Sequence, residues 1–287
     1  MSALDDFLQQ TDYGAISSRE RLTGGSINTV ERLRFETGLS LILKQLKPAP
    51  ANFFQVEASA LAALRQAQTL RVPVVIHDAN EFLLLEDLGD ASPTTVYWQN
   101  LGEGLAELHQ ETHTQFGFEG DNFCGASPQR NPRLDDGFEF FANYRLLGPA
   151  KAAHERGMLE DRDRDDLEFI ANRLEAWIPK QDAVLIHGDL WSGNIHCDGN
   201  GEPALIDPAS YWGWAEAELA MTRLFGGFSS KFYESYASNS PMDAHWQERA
   251  ALYNLYHLLN HLLLFGGAYL PQIREITRRY AGKPGRR

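Results

Sequence analysis

Residues 187–194 read His-Gly-Asp-Leu-Trp-Ser-Gly-Asn, and this stretch and its flanks decide the fold. The apolar run 183–186 before it predicts a short strand. After it, 195–197 predicts a second strand, Asp-Gly-Asn-Gly at 198–201 is a strong turn signal, and 204–206 predicts a returning strand. The sequence therefore predicts a polar loop held between a buried strand and a β-hairpin.

The polar residues of this region have the spacing of a phosphoryl-transfer loop. Such a reaction needs an acceptor for the proton of the nucleophile and metal ions that neutralise phosphate charge. Asp189 precedes Asn194 by five residues, which is the separation between the base and the metal-binding Asn of a protein-kinase catalytic loop. The hairpin would return Asp207 beside Asn194. We therefore predict Asp189 as the catalytic residue and Asn194 and Asp207 as ligands of Mg²⁺.

Taken alone, the His-Gly-Asp tripeptide also fits an ordinary loop with a capping aspartate; the combination with Asn194, the hairpin and Asp207 favours phosphotransfer. Asp207-Pro208-Ala209 stands where protein kinases have Asp-Phe-Gly. Because the glycine is missing, we do not expect the activation switching of protein kinases.

A glycine-rich turn and two strands come early in the chain. Gly24, Gly25 and Ser26 can direct backbone N–H groups at nucleotide phosphates, although a plain hairpin turn has the same composition. The runs 30–35 and 39–46 beside it predict two antiparallel strands. We predict the three turn residues as part of a site for ATP.

Lys44 and Glu57 are charged residues in apolar surroundings. Lys44 shares one face of the second strand with apolar side chains. The segment 52–68 predicts a helix, capped by Asn52, that carries Glu57 on its apolar face. Because a lone buried carboxylate is costly, we predict that Glu57 pairs with Lys44 and holds it at the phosphates. Taken singly, Lys44 also fits a solvated lysine on an edge strand.

The run 82–85 predicts a short strand, after which 86–89 leaves the sheet, and the segment 84–88 leads into Gly89. We predict this segment as the hinge between two lobes, with Glu86, Asp87 and Leu88 at the nucleotide. Backbone groups of Glu86 and Leu88 would pair with the adenine edge. The alternative is a simple strand exit.

The order of elements, strands with one helix and then mostly helices, predicts an α+β architecture. We expect a two-lobed protein-kinase-like fold, with a small N-terminal antiparallel-sheet lobe at 1–88 that binds the nucleotide. A larger helical lobe at 89–287 would carry catalysis and substrate binding. The segment 116–133 is rich in Gly, Asn and Pro and predicts a long loop.

Composition excludes several classes of protein. A formal net charge of -13 repels phosphate backbones, so we expect no nucleic-acid partner. The apolar stretch 250–265 is too short and too polar to span a bilayer, and we expect no membrane partner and no signal peptide. Two cysteines, Cys124 and Cys197, without metal-ligand spacing fit a reducing compartment. We predict a cytoplasmic monomer with a basic tail, 281–287, that is an interaction arm or a frayed end.

Longer matches make the resemblance specific. The chain resembles the fructosamine/ketosamine 3-kinase family, a branch of the aminoglycoside phosphotransferase and choline kinase group with a protein-kinase-like fold. The resemblance covers nearly the whole chain. The matching stretches are 187–194 with Trp191, 24–28 (GGSIN), 122–125 (NFCG), 219–228 (LAMTRLFGGF) and 252–266 (LYNLYHLLNHLLLFG).

The resemblance implies an ATP- and Mg²⁺-dependent kinase that phosphorylates ketosamines at the sugar 3-hydroxyl, in the repair of glycated amines. It implies a small-molecule or glycated-amine substrate, with Trp191 as a candidate substrate residue. Glu216, in the segment after Asp207, is a further candidate substrate residue that would shape the cleft. Trp191 would stack on a sugar or simply pack. Glu218 stands where the family tends to have Asp, a conservative change at a helix cap. No cysteine lies near Ser26, so the redox control of some relatives is not expected.

Two other functions remain open at this point. The first is a kinase of another small hydroxyl compound, such as an aminoglycoside, choline or a sugar. The second is a pseudokinase scaffold, which would not need to retain Lys44 or the acids and amide named above. On the last long helix, Asn254, His257 and His261 share one face; they reach the substrate cleft or form a satisfied polar core.

Overall fold

The computed structural model describes residues 3–22, 28–240, 243 and 245–282. The turn predicted to bind phosphates, Gly24, Gly25 and Ser26, lies outside the described residues, as does most of the basic tail. Within the described part of the chain, no helix has the combination of length and apolar character needed to cross a membrane.

A five-stranded antiparallel sheet forms the N-terminal lobe, in the order β1-β2-β3-β5-β4. The elements of this lobe are α1 (Ala3–Leu8), β1 (Ile16–Arg21), β2 (Thr29–Phe35), β3 (Ser40–Gln45), α2 (Phe53–Ala67), β4 (Val75–Asp78) and β5 (Phe82–Glu86). One face of the sheet packs with Leu4 of α1 around Leu33, Leu43 and Leu84. Helix α2 packs near β4 and β5 and also reaches the second lobe.

Two expectations for this lobe need correction. The sequence does not predict strand β1, because Ile-Ser-Ser-Arg-Glu-Arg is almost wholly exposed and lacks apolar alternation. Charged residues of this kind protect a sheet edge. Asn52 precedes α2 in the left-handed region, φ 59°, and its side chain makes no capping bond. The predicted cap is therefore wrong, since a capping residue has an extended backbone that turns its side chain to the first amides.

The C-terminal lobe is mainly helical, so the α+β two-lobed prediction is confirmed. Helix α3 packs against α8, α7 against α9, and α6 against α10. The elements are α3 (Thr95–Leu108), β6 (Thr112–His113), β7 (Asn122–Cys124), β8 (Ser127–Gln129), α4 (Gly137–Phe140), a π-helical stretch (Phe141–Leu147), α5 (Gly148–Glu155), α6 (Asp161–Ala171), β9 (Ala183–Ile186), β10 (Ile195–Cys197), β11 (Pro203–Leu205), β12 (Tyr211–Gly213), α7 (Ala215–Leu224), α8 (Ser230–Asn239), α9 (Trp246–Phe265) and α10 (Leu270–Ala281). Two 3₁₀ turns cover Leu174–Ala176 and Gly267–Tyr269.

The segment 116–133, predicted as one loop, contains the small hairpin β7–β8. Polar side chains hold it in place. Gln129 Nε2 donates to Asn122 Oδ1 at 2.7 Å and to the Ala209 carbonyl at 3.0 Å, and Asn131 Nδ2 donates to the same Asn122 oxygen at 2.8 Å. Because amides rather than apolar residues form this contact, hydrophobic periodicity does not detect the hairpin.

The segment between β5 and α3 connects the lobes and is bonded to the β10–β11 hairpin. The Leu88 carbonyl accepts from Gly199 N at 2.8 Å, and Ala91 N donates to the Cys197 carbonyl at 3.1 Å. His196 Nε2 donates to the Gly89 carbonyl at 2.6 Å. The predicted lobe boundary after Leu88 falls inside this connecting segment and remains our prediction.

Candidate active site

Strand β9 is buried along its whole length and delivers the chain to the loop at 187–194. The chain turns at Gly188, where φ is 83°. A Cβ atom at this position would lie 2.2 Å from the Ala209 carbonyl oxygen. Both the backbone angle and the close approach therefore require glycine.

The loop is held by a buried carboxylate. Glu218, 2% exposed, accepts from the backbone N–H groups of His187 at 2.8 Å and Gly188 at 2.9 Å. His109 Nε2 lies 3.2 Å from the same carboxylate. Glu218 therefore orients the loop and does not cap helix α7, which corrects our expectation; Trp214 at the helix start makes no side-chain cap either.

His187 stabilises the loop as a neutral ring. Its Nε2 donates to the Ile206 carbonyl at 2.8 Å, and Asp189 N donates to its Nδ1 at 3.3 Å. Burial lowers the pKa of His187, although the nearby charge of Glu218 opposes this effect. Both ring nitrogens of His187 therefore brace the loop through hydrogen bonds to the backbone.

Asp189 and Asn194 are joined as their spacing predicted. Asn194 Nδ2 donates to the Asp189 carbonyl at 2.8 Å and to Asp189 Oδ2 at 3.1 Å. Burial raises the pKa of Asp189 to about 7, the charges of Asp207 and Glu218 act in the same direction, and the bond from Asn194 opposes it. A carboxyl group that changes charge near neutral pH is suited to accepting a proton.

The β10–β11 hairpin returns the chain to Asn194, as predicted. Ile206 N donates to the Asn194 carbonyl at 3.1 Å, which places Asp207 next to the loop. Asp207 has a left-handed backbone, φ 55°. This conformation is uncommon for a residue other than glycine, and such residues cluster at functional sites.

Lys44 joins the two lobes. The residue is buried, with 2% of its surface exposed. Its ammonium group donates to the Glu57 carboxylate and, at 2.9 Å, to Asp207 Oδ1. Burial would lower the pKa of Lys44, but the negative charges of Asp207 and Glu57 outweigh burial and raise it. The predicted pairing of Lys44 with Glu57 is present, and the contact with Asp207 carries it to the second lobe.

These side chains surround a cavity of about 600 Å³. Lys44, Glu57, Asp189, Asn194 and Asp207 line its polar part. Five of the lining rings contact one another in series, and we call this cluster the aromatic mouth; it consists of Trp191, Phe225, His261, Phe265 and Tyr269.

Trp191 lines the cavity and also packs. Its ring lies edge-on to Phe225, with centroids 6.2 Å apart. A Cβ atom at Gly193 would lie 2.4 Å from the indole, so the glycine leaves space for the ring. Both alternatives predicted for Trp191, a surface for a sugar and simple packing, are compatible with this position.

Glu216 does not reach the cavity, contrary to our expectation. Its carboxylate is buried, forms a two-pronged ion pair with Arg249, and accepts from the Tyr253 hydroxyl at 2.8 Å. Since protein donors satisfy the charge, Glu216 fixes α7 against α9.

The predicted hinge residues have protein partners. The Glu86 carboxylate pairs with Arg71 at 2.5 Å, and that of Asp87 pairs with Arg32 at 2.7 Å. Glu86 N donates to the Val74 carbonyl at 2.9 Å. The Leu88 carbonyl is bonded to Gly199, as described above. Pairing of this segment with adenine stays a prediction.

The three polar residues on one face of α9 were expected either to reach the substrate cleft or to form a polar core, and the structure shows both roles. Asn254 Nδ2 donates to the Ala220 carbonyl at 2.9 Å and belongs to the core. His261 lines the cavity, and His257 Nδ1 lies 3.9 Å from Asp189 Oδ1. Cys124 and Phe225 also line the cavity, although the sequence predicts no site role for either residue. Both residues lie in stretches that match the family, NFCG and LAMTRLFGGF, and those matches are the feature of the sequence that could have identified them.

The Asp189 carboxyl predicts a pH-dependent effect on stability. In the unfolded chain an aspartate has a pKa near 3.9, whereas the folded value is about 7. The folded state therefore loses stability as pH rises from about 4 to 7, by up to about 4 kcal/mol. Asp189→Asn removes this loss. Urea unfolding in metal-free buffer should show a stability gain for the variant that grows over this range and is constant above it. A gain independent of pH would contradict the raised pKa.

Lys44 and Glu57 should behave as one unit in the free energy of unfolding. Lys44→Met leaves the buried Glu57 carboxylate without its cation, at a cost of about 3–5 kcal/mol, whereas Glu57→Gln leaves Lys44 paired with Asp207. We expect Lys44→Met combined with Glu57→Gln to cost less than the sum of the single changes. The control is the exposed pair Lys47–Glu81, 3.1 Å apart, whose coupling should stay within about 1 kcal/mol. Equal coupling in the two cycles would show that the buried pair has no special role.

Comparison with known proteins gives two kinds of match. The family model described as fructosamine kinase matches residues 2–282. A Synechocystis protein named for ketoamine kinase activity is 37% identical over 270 residues, covering 92% of this chain and 90% of its own. The chloroplastic protein-ribulosamine 3-kinase of Arabidopsis thaliana is 34% identical over 270 residues, covering 90% and 80%.

Solved structures agree on the fold. A Thermobifida fusca crystal structure, assigned to fructosamine-3-kinase, superposes with a TM-score of 0.86 at 28% identity and covers 96% of this chain and 97% of its own. Choline kinase LicA from Streptococcus pneumoniae shares the fold at a TM-score of 0.64 and 16% identity, covering 97% and 100%. The predicted protein-kinase-like fold is confirmed, and the match over nearly the whole length shows that this chain belongs to the fructosamine kinase family.

Proposed function

We propose that this protein is an ATP- and Mg²⁺-dependent kinase that phosphorylates ketosamines at the sugar 3-hydroxyl. The observation that carries the proposal is Asp189, a carboxyl with a pKa raised by burial to about 7, in one cavity with Asn194, Asp207 and Lys44. Family membership supports the acceptor class. Phosphorylation would make the sugar adduct decompose, so the reaction would repair glycated amines.

The donor set in the cavity fits a magnesium nucleotide. The amide nitrogen of Asn194 donates to Asp189, so the side-chain oxygen of Asn194 is the atom that can bind a cation. Asp207 supplies a carboxylate whose side chain is 38% exposed. Oxygen donors of this kind suit Mg²⁺, and a bound Mg²⁺–ATP would supply the phosphoryl group with its charge neutralised.

The chain's own residues would then act in three ways. Asp189, oriented by Asn194, accepts the proton of the acceptor hydroxyl, a contribution of about 10²–10⁴-fold. Lys44, held by Glu57, presents a fixed positive charge to phosphate oxygens. The carboxylate of Glu218 keeps the backbone under Asp189 in position, so little reorganisation is needed during the reaction.

The aromatic mouth suits a sugar joined to an amine. Aromatic faces pack against the apolar side of a sugar ring, and they attract a protonated amine through the cation–π interaction. Phe265 is 48% exposed, so an amine too large for the cavity can extend past it. The Arabidopsis relative is named for ribulosamine and for protein-bound acceptors, which supports the same substrate class here.

We further propose that the protein acts as a cytoplasmic monomer. Both cysteines are free and buried, which is compatible with a reducing compartment. The acidic net charge of -13 suits cationic amines better than nucleic acids.

Asp207→Asn should raise the magnesium requirement of the reaction. The change removes one charged ligand and one partner of Lys44, so half-maximal rate should need more Mg²⁺ at fixed ATP. Titrating Mg²⁺ against the rate gives the answer. An unchanged metal dependence in a folded variant would mean that Asp207 is not a ligand.

A ketosamine should be a far better acceptor than its free sugar. Binding energy from the amine-linked part positions the reacting hydroxyl, so its removal should lower kcat as well as raise KM. The measurement is kcat/KM for fructosyl- and ribulosyl-amines, free fructose, free ribulose, choline and kanamycin, with NMR assignment of the phosphorylated position and Asp189→Asn as the inactive control. Preference for choline or kanamycin would overturn the acceptor class; ATP binding without any acceptor would support a scaffold.

A further inference from the structure

Three side chains with metal-ligating atoms meet beside the cavity, each from a different part of the fold. Cys124 ends strand β7, Asp189 lies in the loop after β9, and His257 lies in helix α9. One ligand atom of each lies within 4.8 Å of those of the other two. Cys124 is 1% exposed and His257 is 5% exposed. The positions are far apart in sequence, so no spacing motif reveals them.

Of the three residues, His257 gives the clearest indication that a bound ligand belongs at this position. Among the described residues, its buried Nδ1 has no hydrogen-bond partner, and it lies 3.9 Å from Asp189 Oδ1. Buried polar atoms are rarely left without a partner, and each exception requires an explanation. Burial lowers the pKa of His257 to about 3, with smaller effects from His261 and Arg145. The ring is therefore neutral near pH 7, which is the form that binds metals.

The thiol of Cys124 is not arranged for redox chemistry or for nucleophilic attack. Burial raises its pKa well above the ordinary value, and the charge of Asp189 acts in the same direction. A reactive cysteine needs the opposite, an exposed thiol with a lowered pKa. A metal ion can nevertheless bind such a thiol by displacing its proton to solvent.

We propose that Cys124, Asp189 and His257 form a binding site for Zn²⁺ or a similar divalent transition metal. Sulfur, imidazole nitrogen and carboxylate oxygen are the donors that zinc prefers. In a tetrahedral zinc site, adjacent ligand atoms lie about 3.3–3.7 Å apart, as follows from the usual bond lengths. His257 Nδ1 and Asp189 Oδ1 are 3.9 Å apart, and the ligand atoms of all three residues lie within 4.8 Å of one another. Side-chain movements of about 1 Å would bring them to the distances of a zinc site. The fourth position would remain open to the cavity.

Zinc at this site would inhibit phosphoryl transfer, and this consequence rests on the proposed function. Asp189 would be bound to the metal and could not accept a proton from the substrate. The site differs from the proposed magnesium ligands, Asn194 and Asp207, which offer only oxygen. Magnesium disfavours thiol ligands, so excess Mg²⁺ should not displace zinc from Cys124.

The binding test uses Co²⁺ as a spectroscopic probe, without nucleotide or acceptor. Thiolate bound to Co²⁺ gives a near-ultraviolet charge-transfer absorption that oxygen ligands do not give. We expect this band in the wild-type protein, its loss on adding Zn²⁺, and its absence in Cys124→Ser. The matched control is Cys197→Ser, which removes the other buried cysteine and should retain the band. His257→Gln should weaken Zn²⁺ binding about tenfold or more, since even residues behind a ligand contribute that much.

Absence of the band in the wild-type protein, or its persistence in Cys124→Ser, would overturn the site. If Cys124→Ser does not fold, the site is tested instead by measuring how fast an alkylating reagent modifies each cysteine of the wild-type protein. Zn²⁺ should slow modification of Cys124 at least about tenfold relative to Cys197, and equal rates would refute the proposal. Inhibition is measured separately, relative to each variant's own zinc-free rate. Equal inhibition of wild type and Cys124→Ser would place inhibitory zinc elsewhere, whereas a band without any kinase activity would fault only the proposed function.

Discussion

The hydrogen bonds from the backbone N–H groups of His187 and Gly188 to the carboxylate of Glu218 hold the reactive loop in place. A buried carboxylate has no water to solvate it, so it must have protein donors, and bonds to a charged acceptor are stronger than bonds between neutral groups. His109 continues this network toward α8 through the Tyr236 hydroxyl, 2.7 Å from its Nδ1. Glu218 belongs to α7, His109 follows the end of α3, and Tyr236 belongs to α8. These three helices of the second lobe thereby determine where Asp189 lies.

The site residues that the sequence predicts are of two kinds: some lie close together in the chain, and the others are charged residues on apolar faces. The pairing of Asp189 with Asn194 and the return of Asp207 depend on a strand, a loop and a hairpin within about 25 consecutive residues, which local turn chemistry specifies. Lys44 and Glu57 are farther apart, but each is a charge on an apolar face. Such a charge needs a partner of opposite sign, and this requirement connects them without knowledge of the fold.

What the sequence did not reveal depends on contacts between distant segments. Glu216 and Glu218 lie two residues apart on α7, yet Glu216 pairs with Arg249 while Glu218 holds the reactive loop. Their roles follow from which neighbour each one faces, and periodicity alone does not supply that. The β7–β8 hairpin was missed because amide side chains hold it. The exposed strand β1 was missed because it buries too little apolar surface to leave a pattern.

The rigidity of Asp207-Pro208-Ala209 has a consequence for inhibitor design. Proline fixes one backbone angle, and Ala209 is buried, donating its N–H to the His187 carbonyl at 2.9 Å while its own carbonyl fills the space beside Gly188. Turning Asp207 outward would break these contacts without a glycine to accommodate the change. Drugs that bind a kinase only after this aspartate has rotated away would find no pocket. Compounds that inhibit this protein would instead have to enter the cavity with Asp207 in its present position, beside the aromatic mouth.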